Sequence, residues 1–156
     1  MKVTIYTDGS SIGNPGPGGY GVVMLAGKHR KEISDGFRLT TNNRMELLAV
    51  IKALEEMKRS DIEIDIITDS KYVRDAIEKG WVFNWQKKGF KDKANPDLWK
   101  RFLLLYPKFK VRFHWVKGHA GNAENERCDE LATIEARNKP KKVDAGYEAS
   151  SISDLF

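Results

Sequence analysis

The amino-acid sequence predicts an α/β fold, a five-stranded mixed sheet of three antiparallel strands and two parallel additions, flanked by helices. Runs near the start, at residues 3–8, 20–26 and 31–39, are apolar or alternating and predict an antiparallel meander. Apolar residues at helical spacing follow residue 41, and another strand run occupies residues 62–67. Such a strand–helix–strand unit forms a right-handed crossover with parallel strands. An alternating run at 111–115 supplies the last strand.

Length and composition are those of one soluble domain. The chain has 156 residues, of which 40% are hydrophobic and 31% charged. No apolar run approaches the ~20 residues of a membrane span, and the start lacks the apolar stretch of a signal peptide. The single cysteine, Cys128, excludes an internal disulfide, and Cys/His metal clusters are absent. We therefore expect a cytoplasmic protein without membrane contact.

The first strand ends in a carboxylate. Asp8 is followed by residues 9–19, a stretch rich in glycine and proline that predicts a turn without regular structure. An acid at the carboxyl end of a core strand can present oxygen to a metal or a substrate. The alternative is a turn-capping residue, because Asp-Gly favours turns in any case.

Two further acids are predicted at the same edge of the sheet. Thr41 or Asn42 caps a helix that we expect to reach about Lys58, and Glu46 lies on its apolar side. The helix dipole also favours an acid there, although it does not select the inward face. Asp69 follows the strand at 62–67 and precedes a helix over 70–79. If the two parallel strands are neighbours, Asp8 and Asp69 lie side by side where open α/β sheets bind ligands.

Positive charge is concentrated in one window. Residues 79–101 carry seven basic and two acidic side chains, a net charge of +5, whereas the rest of the chain sums to zero. Trp81, Trp85 and Trp99 lie in the same window. Basic and aromatic residues interleaved in this way favour a nucleic-acid surface. Alternatively the tryptophans fill a core, which suits Trp81 and Trp99 best.

The last third of the chain offers one more acid and one histidine. After a helix over 96–106, a helix over about 124–138 places Asp129 on its small-residue, inward side. His119 lies in a glycine-flanked loop before that helix. The tail from residue 139 either folds back on the domain or docks on a protein partner through its Asp-Leu-Phe end.

Asp8, Glu46, Asp69 and Asp129 therefore form a predicted carboxylate cluster. Two carboxylates ~4 Å apart repel by ~4 kcal/mol at an effective dielectric of 20, so four require cations or raised pKa values. Oxygen ligands suit Mg²⁺ or Mn²⁺ rather than zinc. Two such ions ~3.5–4 Å apart can clamp the oxygens of an in-line phosphodiester displacement. With a polyanion surface in the same chain, this chemistry indicates a nuclease.

Four segments carry a resemblance to a known family. They are Asp-Gly-Ser with Asn-Pro-Gly-Pro-Gly-Gly within 8–19, Thr-Asn-Asn-Arg-Met-Glu-Leu at 41–47, Thr-Asp-Ser-Lys-Tyr-Val at 68–73, and Val-Lys-Gly-His at 116–119 with Asn-Glu-Arg-Cys-Asp-Glu-Leu-Ala at 125–132. In this order they closely resemble the bacterial type 1 ribonuclease H family. The resemblance implies the ribonuclease H-like fold, a catalytic domain at 1–138, a basic protrusion at about 79–101 and a C-terminal tail at 139–156.

The resemblance also implies an activity and a cofactor. Family members cleave the RNA strand of RNA–DNA hybrids and leave 5′-phosphate and 3′-hydroxyl ends. The four acids would hold Mg²⁺, two ions in one site, with Mn²⁺ as a substitute. His119 would assist the leaving group or product release. We expect a monomer whose partner is the hybrid.

Substrate contacts follow from the same match. Asn14, Asn42 and Asn43 would meet the minor groove, where the 2′-hydroxyls of RNA are exposed. Thr41 and Asn84 would hold a DNA phosphate, and Trp85, Lys87 and Lys88 belong to the protrusion. Two features depart from the family pattern. Lys71 stands where Gln is expected, and the protrusion is a few residues short between Phe90 and Trp99.

Two rival functions remain open at the level of sequence. One is a nuclease of the same fold that acts on DNA, against which the protrusion and the Asn42-Asn43 pair argue. The other is a hybrid-binding module without catalysis. A binder gains nothing from four acids close to phosphates, so the intact acids argue against that reading.

Overall fold

A five-stranded sheet organises the molecule, and it confirms the predicted fold class. The computed structural model describes residues 1–117 and 122–153. The strands are β1 (Lys2–Ser11), β2 (Gly16–Ala26), β3 (His29–Thr40), β4 (Glu63–Thr68) and β5 (Lys110–Trp115), in the spatial order β3-β2-β1-β4-β5. The first three pair antiparallel, and β4 and β5 add in parallel beside β1.

The glycine-rich stretch is largely strand, so the prediction of an irregular turn over 9–19 was wrong. β1 continues to Ser11 and β2 begins at Gly16, with Ser10 opposite Gly19. The glycines are needed inside the strands because helices approach their backbone closely. A Cβ on Gly19 would lie 2.6 Å from a carbonyl oxygen of the helix that covers this part of the sheet. Glycine is the residue that permits such an approach.

The described parts of the chain contain six α-helices: α1 (Asn42–Glu56), α2 (Lys71–Glu78), α3 (Trp81–Lys87), α4 (Pro96–Leu105), α5 (Ala123–Arg137) and α6 (Ala145–Ser153). A 3₁₀ turn at Tyr106–Lys108 follows α4. Helix α1 ends two residues before the predicted Lys58, and the other predicted ends agree within one or two residues. None of these helices combines the length and the apolar character that a membrane span requires.

The two faces of the sheet are covered by different helices. The main apolar core lies between the sheet and α1, with Trp99 and Phe102 of α4 fully buried beside it. Helix α5 packs on the opposite face of β1, β2 and β3. The carboxyl ends of β1 and β4, the start of α1 and the middle of α5 consequently meet at one edge.

The segment that follows α5 also makes contacts with the domain. Arg38 donates its backbone N–H to the carbonyl of Lys142, and its guanidinium makes two hydrogen bonds with Glu148. Asp144 is buried and accepts hydrogen bonds from Thr40 and Arg44. The division of the chain at residue 138 stays a prediction, and the Asp-Leu-Phe end at 154–156 lies outside the described residues.

Candidate active site

Three of the four predicted carboxylates meet at this edge. One ligand oxygen from each of Asp8, Glu46 and Asp69 can be chosen so that all lie within 4.8 Å of one another. β1 and β4 are parallel neighbours with Thr7 opposite Thr68, so Asp8 and Asp69 leave the sheet side by side. The first turn of α1 brings Glu46 to them from above the end of β1.

Gly9 makes the approach of α1 possible. A Cβ at this position would lie 2.3 Å from the backbone nitrogen of Glu46, a separation that no side chain tolerates. The N–H of Gly9 donates hydrogen bonds to Oδ1 of Asp8, at 2.8 Å, and to Oε1 of Glu46, at 2.9 Å. One backbone donor therefore holds two carboxylates in place, and the absence of a side chain permits both contacts.

The electrostatics of the cluster favour a bound cation. Burial raises the pKa of Asp8 to about 6, with the negative charges of Asp69 and Asp129 acting in the same direction. Burial also raises the pKa of Glu46, and the neighbouring charge of Asp8 adds to this effect. Oε2 of Glu46 is buried without a hydrogen-bond partner among the described residues. Clustered carboxylate oxygens with an unsatisfied, buried member fit a hard divalent ion.

Asp129 lines the same cavity, although it does not belong to the close group of three. The cavity measures about 450 Å³, and its walls include Ser10, Asn42, Asn43, Lys71 and Tyr72 beside the four acids. Helix α5 reaches this edge because β2 carries Gly21 opposite Asp8, and a Cβ there would lie 2.4 Å from the carbonyl oxygen of Cys128. Close packing of α5 thus sets the position of Asp129.

The predicted minor-groove residues, and Thr41 of the predicted DNA-phosphate contact, lie on the rim of this cavity or next to it. Thr41 caps α1, and its hydroxyl accepts a hydrogen bond from the backbone N–H of Arg44. Asn42 and Asn43 are exposed and line the cavity. The side chain of Asn14 accepts from the N–H of Asn42, and the Asn42 side chain accepts from Ser11. The start of α1 and the β1–β2 turn are therefore held together.

The protrusion residues form a separate surface. Asn84 and Lys87 are exposed on α3, and Lys88 is exposed directly after its last residue. Trp85 is half-buried, edge-on to the buried Trp99 with ring centroids 6.0 Å apart. None of these described residues lines the acidic cavity. Trp81, for which a core position was the simpler expectation, is 43% exposed, whereas Trp99 is buried as expected.

A family model described as RNase H matches residues 1–137. The chain belongs to the RNase H family. The protein named Ribonuclease H from Psychromonas ingrahamii is 53% identical over 152 residues, which cover 94% of this chain and 98% of the relative. The Ribonuclease H of Syntrophus aciditrophicus is 54% identical over 151 residues, which cover 94% of this chain and 87% of the relative.

Solved structures of the family agree with this fold. LC9-RNase H1, described as a type 1 RNase H with the type 2 active-site motif, superposes with a TM-score of 0.79 at 33% identity, over 96% of this chain and 80% of the other. LC11-RNase H1, solved in complex with an RNA/DNA hybrid, gives a TM-score of 0.66 at 28% identity, over 88% and 98%.

Some predicted residues are not placed, and some contacts were not predicted. His119 lies outside the described residues, so its role stays a prediction. Sequence reasoning missed Trp115, whose indole N–H donates to the backbone oxygen of Asp69 at 3.3 Å while the guanidinium of Arg74 lies 4.5 Å from its ring centroid. The only signal was its position at the end of the last strand. Arg44 was missed as well, because its hydrogen-bond partners Asn95, Asp97 and Asp144 are all distant in sequence.

Proposed function

We infer that this chain is an endonuclease that hydrolyses the RNA strand of RNA–DNA hybrids. The close group formed by Asp8, Glu46 and Asp69 carries this inference, because a buried carboxylate cluster is expensive unless it serves cation-assisted chemistry. Membership of the RNase H family, with relatives named Ribonuclease H, gives the reaction class. The hybrid complex of LC11-RNase H1 supports the same substrate class.

We propose that the site holds Mg²⁺, two ions with Mn²⁺ as a substitute, through Asp8, Glu46, Asp69 and Asp129. Bound there, divalent metal supplies Lewis-acid polarisation and neutralises charge that develops on phosphate oxygens. Oxygen-only side chains favour these ions over zinc. The raised pKa values of Asp8 and Glu46 imply that protons leave the cluster when a cation binds.

The remaining residues bind and orient the hybrid. The N–H of Gly9 fixes Asp8 and Glu46, so the carboxylates do not reorganise during the reaction. Asn14, Asn42 and Asn43 are proposed to contact the minor groove, which carries the 2′-hydroxyls that distinguish RNA. Thr41 and Asn84 hold a DNA phosphate, and Trp85, Lys87 and Lys88 extend the contact along the duplex.

The outcome of the reaction follows from an in-line displacement by water. The scissile P–O bond breaks on the 3′-oxygen side, which leaves a 3′-hydroxyl and a 5′-phosphate. We assign His119 to leaving-group protonation or product release. We propose a monomer, because one chain supplies every group named here, and a cytoplasmic location.

The test uses end-labelled RNA annealed to DNA, with RNA duplex, DNA duplex and single strands as controls, with and without Mg²⁺. Asp8→Asn serves as a control for contaminating nuclease. We expect Mg²⁺-dependent cutting of the hybrid's RNA strand alone, and loss of cutting in the variant. Cutting of the DNA duplex would show that the substrate is DNA and not the RNA–DNA hybrid. Hybrid binding without any cutting would make this chain a binding protein.

A further inference from the structure

Lys71 shares the cavity of the carboxylate cluster. It is the first residue of α2, directly after the N-cap Ser70, and it is exposed. Among the described residues that line this cavity, four are acidic and Lys71 alone carries a positive charge. A cation at the mouth of an acidic cavity is placed to meet an anion that must enter it. The resemblance described above predicts Gln at this position, and this chain has Lys there.

The first turn of α2 is anchored, whereas the Lys71 side chain is exposed and lines the cavity. The hydroxyl of Tyr72 accepts hydrogen bonds from Nδ2 of Asn95, at 3.0 Å, and from Nε1 of Trp99, at 2.8 Å. Val73, one residue further, is fully buried. These contacts fix the backbone from which Lys71 projects. The long side chain therefore starts from a defined point and can adapt to a bound strand.

The chemistry of the side chain selects phosphate. An ammonium group has three donors and no acceptor, and it acts as a point charge that suits phosphate oxygens. A glutamine amide, in contrast, donates and accepts, and is suited to base edges. Asn42 and Asn43 line the cavity from the side of α1, whereas Lys71 lines it from the side of α2. A strand that crosses the carboxylates passes between the two sides.

We propose that Lys71 binds a phosphate of the RNA strand adjacent to the scissile one, through its charge and not through a base edge. The proposal rests on the proposed function. The contribution of Lys71 to hybrid affinity should then be independent of the nucleotide sequence and should decrease as the salt concentration rises. Each phosphate contact of this kind releases condensed counterions on binding.

Binding to labelled hybrids in the presence of EDTA, across a series of salt concentrations, tests the contact without cleavage. For Lys71→Gln we expect weaker binding by several fold, equal for hybrids of different sequence, and a slope of log K against log salt reduced by about 0.7–0.9. Lys71→Arg should keep the wild-type slope. The matched control is Lys28→Gln, an equal charge change on an exposed turn at the opposite edge of the sheet, which should change neither quantity.

Replacing single RNA phosphates by neutral methylphosphonates locates the contact. Replacement of the phosphate that Lys71 contacts should weaken hybrid binding by the wild type but not by Lys71→Gln. This comparison is a double-mutant cycle, which isolates the interaction between two directly paired groups. An unchanged salt slope in Lys71→Gln, together with altered Mg²⁺ affinity in calorimetry, would overturn the proposal and leave Lys71 as a partner of the carboxylates. Failure of the wild type to cut the hybrid in the presence of Mg²⁺ would instead overturn the proposed function.

Discussion

At Asp8, the stability of the metal-free fold and the proposed metal chemistry make opposite demands on one carboxylate. Its side chain is 4% exposed, and it lies beside Glu46 and Asp69, so its ionised form is disfavoured in the absence of metal. On the proposal that the cluster holds a cation during function, the bound cation offsets this cost. Removal of one charge should therefore stabilise the metal-free protein, even though it abolishes cleavage.

The pH dependence of the free energy of unfolding, measured without metal, tests whether ionised Asp8 destabilises the fold. The pKa of Asp8 is about 6 in the folded protein and near 4 in an unfolded chain, so the folded state binds more protons between these values. The contribution of Asp8 to stability is therefore complete below pH 4 and is lost as the pH rises through about 6. We expect Asp8→Asn to lack this loss and to equal or exceed the wild type at pH 7.

The measurement is urea unfolding in EDTA at several pH values. Glu63→Gln is the control, because Glu63 is an exposed carboxylate at the far end of β4 and should follow the wild type. If Asp8→Asn is clearly less stable than the wild type at pH 7, Asp8 acts mainly as a structural hydrogen-bond acceptor.

At the scale of elements, Arg44 connects three parts of the chain. Its guanidinium is buried and makes paired hydrogen bonds to Asp97 at the start of α4 and to Asp144 before α6. Because Arg44 lies in the first turn of α1, these pairs also fix the helix that carries Asn42, Asn43 and Glu46. The segment after residue 138 thereby supports the candidate site.

Asp144→Ala should destabilise the protein by about 3 kcal/mol, because it leaves part of a buried guanidinium unpaired. Asp97 remains as a partner, so the loss falls at the low end of the range for broken buried pairs. Glu148→Ala is the matched control, since its pair with Arg38 lies at the protein surface, where solvent screens the interaction, and its loss should have little effect on stability. Equal small losses in urea unfolding would show that the buried pair adds nothing specific.

Local sequence patterns predict those features that depend only on a short stretch of the chain, such as the residues on one face of a strand or a helix. Period-two runs that end in Asp8 and Asp69 placed both acids at one edge, and helical spacing placed Glu46 on the inward side of α1. The strand character of residues 9–11 and 16–19 was missed, because it depends on pairing and on helices that approach from elsewhere. The Arg44 pairs were missed for the same reason, as they join residues 53 and 100 positions apart.

At the scale of the whole molecule, charge is divided between two surfaces. The acidic cavity lies at one edge of the sheet, and the exposed Lys87 and Lys88, at the end of α3, lie outside that cavity. If these lysines bind the hybrid as proposed, this separation would allow them to hold a duplex without neutralising the carboxylates. Binding and chemistry should consequently respond to different substitutions.

Replacing both Lys87 and Lys88 by Gln should weaken hybrid binding and reduce the salt slope by about 1.4–1.8, because two phosphate contacts are lost. The cleavage rate at saturating hybrid should stay near that of the wild type, since neither residue lines the cavity. Fluorescence titration and single-turnover cleavage measure the two quantities separately. A large fall in the saturated rate would mean that the protrusion also positions the scissile phosphate.

Calorimetric titration of the protein with Mg²⁺ and Mn²⁺, in the absence of substrate, tests the central claim most directly. We predict binding to the wild type and to Glu63→Gln, accompanied by proton release near pH 6, since Asp8 and Glu46 must lose their protons. Asp8→Asn should weaken binding by more than about tenfold, as loss of a direct ligand exceeds loss of an outer partner. Equal metal affinity in Asp8→Asn and the wild type would contradict the assignment of this cluster as the metal site.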